Sequence, residues 1–218
     1  EYRARILYEG ASLARDLGRM DQALPWLQEI LALAPTSPQA VSVVDELLEG
    51  GALSAGEAAR VLFANGYHTK AMPLFDAAAQ HALPANTAVV SDTDVLELQR
   101  LRAMNLRETG HFSQALELLA TISTFSPESE PGRQAKLDWI QTLGQSGETR
   151  AAANAYRDYA SMLPDDPRAP VALDRAAQLF DRLGDQEAAF HTRMELERRY
   201  PDNDLSPYVL HSEALYLF

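Results

Sequence analysis

Apolar side chains recur every three to four residues over most of the chain, and the runs are interrupted at regular places by glycine or proline. The stretch LELQRLRAMNLRET (residues 96–109) is typical of these amphipathic runs. That period places one face of each run against a core and predicts α-helix. The abundance of Leu, Ala, Glu, Arg and Gln favours the same state. Only TAVV (87–90) reads as β-like, and it is too short and isolated to predict a strand. The pattern as a whole predicts twelve helices and an all-α fold.

The interruptions repeat. ETGHFSQALELLATISTFSP (108–127) holds Gly110, Ala115 and Pro127, and the same three landmarks return 37 residues later at Gly147, Ala152 and Pro164, and again at Gly184, Ala189 and Pro201. Gly18, Ala23 and Pro35 show the same internal spacing, as do Gly66 and Ala71, with Pro84 one residue late. Each landmark has a mechanical meaning. The glycine follows an amphipathic run and can take the left-handed conformation that closes a helix. Asp21, Thr69 and Ser113 lie three residues beyond it and are suitable N-cap types for a second helix. The alanine falls in that helix's first turn, where a small side chain lets two antiparallel helices approach. The proline ends the helix about four turns on. Each unit is therefore expected to be a helical hairpin, and the hairpins to stack.

Read this way, residues 1–218 form a single array with units at about 2–35, 52–84, 93–127, 131–164 and 168–201. Two irregularities break the period. SPQAVSVVDELLEGG supplies an extra helix at about 39–49, ended by Gly50 and Gly51, and PANTAVVSDTD forms a linker whose Asp92 or Thr93 caps the next helix. The stretch LSPYVLHSEALYLF (205–218) matches RAPVALDRAAQLF 37 residues earlier and reads as the first helix of a partial sixth unit. The chain opens at Glu1 rather than Met and stops inside that helix, which reads as a piece of a longer protein.

Helix, Gly, short turn, Ala and terminal Pro together resemble the tetratricopeptide repeat (TPR). The first-helix small position agrees at Ala11, Ala59, Ala103 and Ala177 but not at Ile140. The second-helix aromatic position holds Leu27, Phe75, Leu119 and Tyr156, but Arg193 in the fifth unit, and the family's initial Trp is absent. The resemblance implies a right-handed α-α superhelix of about five hairpins plus the extra helix. The 37-residue period and the phrase RRYPDNDLSPYVLHSEAL narrow the likeness to TPR arrays of bacterial envelope proteins. AVSVVDELLEGGALSAGEAARVLFANGYHTKAMPLFDAAA is similar to the helical region of soluble lytic transglycosylases, with Gly66-Tyr67 at the hairpin turn. That likeness implies a periplasmic or otherwise extracytoplasmic location, with a cytoplasmic one still open.

Composition removes several function classes. The net charge of −12 is spread over both halves and leaves no basic stripe, so neither nucleic acid nor an anionic membrane surface is an expected partner. No apolar run reaches the roughly 18 residues of a membrane span. With no cysteine there can be no disulfide, thiolate chemistry or Cys-based zinc site. The five histidines form no HExxH pattern, and Gly50-Gly51 and Gly56 lack a P-loop lysine, so no metal or cofactor is expected. Glu128-Ser129 is the nearest approach to a transglycosylase Glu-Ser motif, but it follows a helix-ending proline and reads as a polar turn. An acid catalyst needs an enclosed site that raises its pKa.

The chemistry left is recognition. In TPR proteins the concave wall is lined by first helices, at positions 13, 10, 6, 3 and 2 before the glycine. Carried over, those positions are Glu97, Arg100, Met104, Arg107 and Glu108 in the third unit, and Gln134, Leu137, Gln141, Gly144 and Gln145 in the fourth. The fifth unit contributes Val171, Asp174, Gln178, Asp181 and Arg182. The candidate groove residues are accordingly Arg100, Met104, Arg107, Gln141, Gln145, Asp174, Gln178 and Arg182, and Arg100 with Arg107 could grip a carboxylate. Asn65 and Asn105 miss the slots that chaperone-tail binders use. The expected function is a non-catalytic scaffold binding a protein, a peptide or an adjacent domain. The alternative is a substrate-shaping domain of a peptidoglycan lytic transglycosylase with its catalytic domain C-terminal to this region.

Overall fold

The computed structural model describes residues 2–82 and 93–205. The β-like stretch at 87–90, Asp92, the landmark Pro84 and the helix expected in the sixth unit from residue 206 onward lie outside the described residues. Eleven α-helices and no strand are present among the described residues: α1 (Tyr2–Asp16), α2 (Met20–Leu33), α3 (Pro38–Glu49), α4 (Ala55–Ala64), α5 (His68–Ala82), α6 (Thr93–Glu108), α7 (Phe112–Phe125), α8 (Glu130–Gln145), α9 (Thr149–Met162), α10 (Ala169–Arg182) and α11 (Gln186–Arg199). The chain divides into two compact units, residues 1–135 and 136–218.

Every landmark glycine is left-handed: Gly18, Gly66, Gly110, Gly147 and Gly184 have φ between 71° and 100°. The turn around each is the same. The amide after the glycine donates to the carbonyl five residues back, as from His111 to Leu106 at 2.8 Å and from Asp185 to Phe180 at 2.9 Å. This is the Schellman closure, which satisfies carbonyls that the helix end would otherwise strand. The proline landmarks act through the residue before them. Ala34, Ser126, Leu163 and Tyr200 share φ near −126° to −148° and ψ near 56° to 62°. A following proline disfavours the helical region for its predecessor, so each second helix stops there.

The expected caps are corrected. Asp21, Thr69 and Ser113 lie inside the first turns of α2, α5 and α7 and do not cap them. Arg19 and His111 occupy the N-cap positions of α2 and α7 and make no side-chain capping bond. The sharp glycine turn brings the chain into helix one to two residues earlier than the polar residue suggests. Side-chain caps occur instead at Ser37, Ser54 and Asp185. Thr93 begins α6 as its first residue.

In the first compact unit α1 packs on α2, α4 on α5 and α6 on α7, as the hairpin reading requires. The extra helix α3 joins the stack. It packs against both α2 and α4, and Ala40, Val43, Val44 and Leu47 are fully buried. Arg15 of α1 forms an ion pair with Glu46 of α3, and the Asn65 side-chain amide donates to the Pro35 carbonyl at 2.7 Å. In the second compact unit α10 packs on both α9 and α11, around Ile140, Tyr159, Leu173 and Leu196. The alanine landmarks Ala23, Ala71, Ala115, Ala152 and Ala189 are all fully buried. Leu27, Phe75 and Leu119 fill the seat nine residues after the glycine. In the fifth repeat Arg193 takes that seat and forms an ion pair with Asp181 across the α10–α11 hairpin.

One ion pair sets an acid sensitivity. The Arg168 guanidinium hydrogen-bonds Asp166 at 2.8 Å and holds its carboxyl down to about 2. A depressed carboxyl contributes stability above its unfolded pKa of about 4 and loses it as the pH falls toward 2. Asp166→Asn is expected to cost on the order of 1 kcal/mol at pH 7 after solvent screening. Urea midpoints measured from pH 7 to pH 2 should show that difference shrinking, and a constant difference would exclude the pair as its source.

Candidate functional site

The candidate residues on α6 belong to the first compact unit, and their charges are already spent. Arg100 makes a two-pronged ion pair with Glu97, at 2.8 and 2.9 Å, and touches the Met104 sulfur at 3.3 Å. Arg107 is buried and hydrogen-bonds Glu108 through Nε at 3.1 Å. Glu97, three residues before Arg100, and Glu108, next to Arg107, therefore pair with them in place, and one Arg107 guanidinium nitrogen stays buried without a hydrogen-bond partner. Asn105 is fully buried, and its amide donates to the His68 carbonyl at 3.0 Å while its oxygen meets His68 Nδ1 at 3.1 Å. It ties α6 to α5.

The second compact unit is different. Gln141 and Gln145 of α8 face Gln178 and Arg182 of α10 across a cavity of about 340 Å3. Tyr156 of α9 also lines it, with the fully buried Ala152 beneath its surface. A second cavity of about 230 Å3 shares Gln141, Tyr156 and Arg175 with the first and extends past Val171 to Arg168. The two make one groove along α10. Four of the eight candidate residues, Gln141, Gln145, Gln178 and Arg182, meet in it. Asp174 does not line it. Burial pushes its carboxyl up, and it accepts a 2.6 Å hydrogen bond from Gln178. Asp181, also expected in the wall, is turned to Arg193.

Arg168 and Arg175 were not among the residues carried over from the family pattern. The signal for them is a heptad spacing: Arg175 and Arg182 fall seven apart and share one face of α10, and Arg168, the N-cap residue of that helix, stands seven before Arg175. Arg168 is engaged by Asp166. No group of three or more His, Asp or Glu residues that could hold a metal ion occurs among the described residues. Ser129 does what a polar turn does: its hydroxyl donates to the Ser126 carbonyl at 2.8 Å and accepts from the Gly132 amide at 3.1 Å.

Comparison with solved structures places this arrangement. A kinesin light chain-type protein of Podosopora anserina, with nearly identical TPR-like repeats, superposes with a TM-score of 0.56 at 16% identity, covering 91% of this chain and 96% of that one. BtubC of P. vanneervenii gives 0.54 at 13% identity over 92% of this chain and 74% of that one. MamA of Desulfovibrio magneticus RS-1, from its residue 41 onward, gives 0.52 at 13% identity over 93% and 97%. No protein-family description matches the chain, and no curated protein matches its sequence. The fold is all-α and TPR-like, an array of helical hairpins. Among the described residues no helix is long and apolar enough to cross a membrane.

Proposed function

We propose that this chain is a non-catalytic interaction module that holds a peptide or protein segment in the groove between α8 and α10. The observation that carries the reading is the convergence of Gln141, Gln145, Gln178 and Arg182 from two helices on one open cavity that Tyr156 also lines. Glutamine side chains offer both donor and acceptor to a peptide backbone, and Tyr156 adds apolar contact. No enclosed carboxylate or nucleophile pair of the kind acid–base chemistry requires lines the groove.

The test is to fill the groove. Gln178→Trp places a bulky side chain on an exposed groove position, so the fold should survive with an unchanged thermal midpoint. Binding of peptides selected from an arrayed eight-residue library should fall at least about tenfold. Undiminished binding would place the site elsewhere on the molecule. The finer assignment to a bacterial envelope protein rests on the 37-residue period and on RRYPDNDLSPYVLHSEAL. The alternative, a domain shaping substrate access for a peptidoglycan lytic transglycosylase, rests on residues 40–79 and puts the chemistry in a separate C-terminal domain.

A further inference from the structure

We propose that the α8–α10 groove selects an acidic peptide, an extended segment whose carboxylates seat on Arg175 and Arg182; this rests on the groove being a peptide site. The chain carries a net charge of −12, and in such a protein arginines readily find carboxylates. Those nearby have done so: Arg150 pairs with Asp185, Arg157 with Glu195, Arg168 with Asp166 and Arg193 with Asp181. Arg175 and Arg182 are exposed, line one cavity, and have no ion pair or hydrogen bond among the described residues. The two nearest acidic side chains hold other hydrogen-bonding partners, although Asp174 still acts electrostatically on Arg175. Asp174 accepts from Gln178, and Asp181 is held by Arg193. Asp138 lines the second cavity, with Arg168 and Arg175, and does not reach the one that holds Arg182. Two guanidinium groups with no ion pair among the described residues thus face the open groove, Arg175 with Asp174 within electrostatic reach.

Their spacing says what kind of anion fits. Seven residues of helix put Arg175 and Arg182 about 10 Å apart along α10. A single phosphate or carboxylate is too small to engage both at that separation. A polyproline-type extended chain rises about 3.1 Å per residue with three residues per turn. Side chains three apart then lie on one face, about 9 Å from each other, which matches the two arginines. Between them Gln141 and Gln145 are placed for the peptide backbone, and Tyr156 for an apolar residue of the segment. The predicted ligand therefore has two Asp or Glu residues three apart, with apolar residues between them. The grip uses charge-assisted, fork-shaped hydrogen bonds, which a lysine at either position would not reproduce.

The experiment uses the whole chain and an arrayed library of eight-residue peptides. The library holds acidic pairs at every spacing, with matched glutamine and lysine versions, and the best binders are remeasured by fluorescence anisotropy. Peptides with acids three apart should bind at least about tenfold tighter than their glutamine versions, and this margin should shrink as salt is raised. Arg175→Gln and Arg182→Gln should each remove most of the margin, whereas Arg150→Gln, outside the groove, should not. The Arg175→Glu/Arg182→Glu double variant should reverse the preference toward the lysine version, a gain that a misfolded protein cannot imitate. Equal binding of acidic and glutamine versions, or no reversal in the double variant, would overturn the acidic assignment and leave the groove reading standing. Failure of every peptide to bind, or binding that Gln178→Trp does not affect, would overturn both.

Discussion

Gly132→Ala should destabilise the protein by about 3 kcal/mol, because a Cβ there has nowhere to go. Built on the existing backbone, it would stand 1.8 Å from the Ser126 carbonyl oxygen and 2.7 Å from the carbonyl carbon. Those atoms are backbone, held by the Ser129 hydroxyl that accepts from the Gly132 amide and donates to Ser126. Relief needs the whole α7–α8 turn to move, and the capping bonds would be lost with it. Gly144→Ala is the internal control. That Cβ would meet the Ala152 Cβ at an ordinary 3.6 Å, and glycine inside a helix costs about 1 kcal/mol relative to alanine. Urea midpoints should therefore fall sharply for Gly132→Ala and stay level or rise for Gly144→Ala. Equal behaviour of the two would mean the turn is not close-packed as described.

Enlarging the alanine seam should cost on the order of 1–3 kcal/mol per site. Ala115 and Ala152 have no exposed surface, so the extra three carbons of leucine must displace neighbours. At Ala152 the opposing surface is Gly144, a position where α8 carries no side chain at all. The two helices meet there almost backbone to backbone, and leucine would wedge them apart. Because α9 also lines the groove, Ala152→Leu should weaken peptide binding along with stability, whereas Ala115→Leu, on α7 in the first compact unit, should affect stability alone. A cost near zero at both sites, read from urea unfolding, would show that the alanine column is not a helix–helix contact.

The likeness to solved TPR-type structures is one of backbone, at 13–16% identity, and it extends over more than nine-tenths of this chain. Such identity leaves the side chains of the groove free to differ.

The periodic elements could be read from the residues alone because each is a local rule. A glycine at positive φ, an alanine five residues on, and a proline acting on its predecessor are all short-range rules, so the helices that flank each landmark glycine and the extra helix near 39–49 followed without any long-range information. Local rules reached their limit at the caps, where Asp21, Thr69 and Ser113 matched the preferred residue types yet lie inside helices, since a Schellman turn re-enters helix sooner than composition suggests. The groove was half legible: the family offsets found Gln141, Gln145, Gln178 and Arg182 but gave Arg100 and Arg107 the same standing. Whether an arginine is free or neutralised depends on which carboxylate the fold brings within reach. Glu97 and Glu108 pair with the α6 arginines, while Arg193 holds Asp181, and Arg175 and Arg182 are left without an ion pair among the described residues. That balance of charge over a few ångströms is set by side-chain packing between helices, and only the tertiary structure decides it.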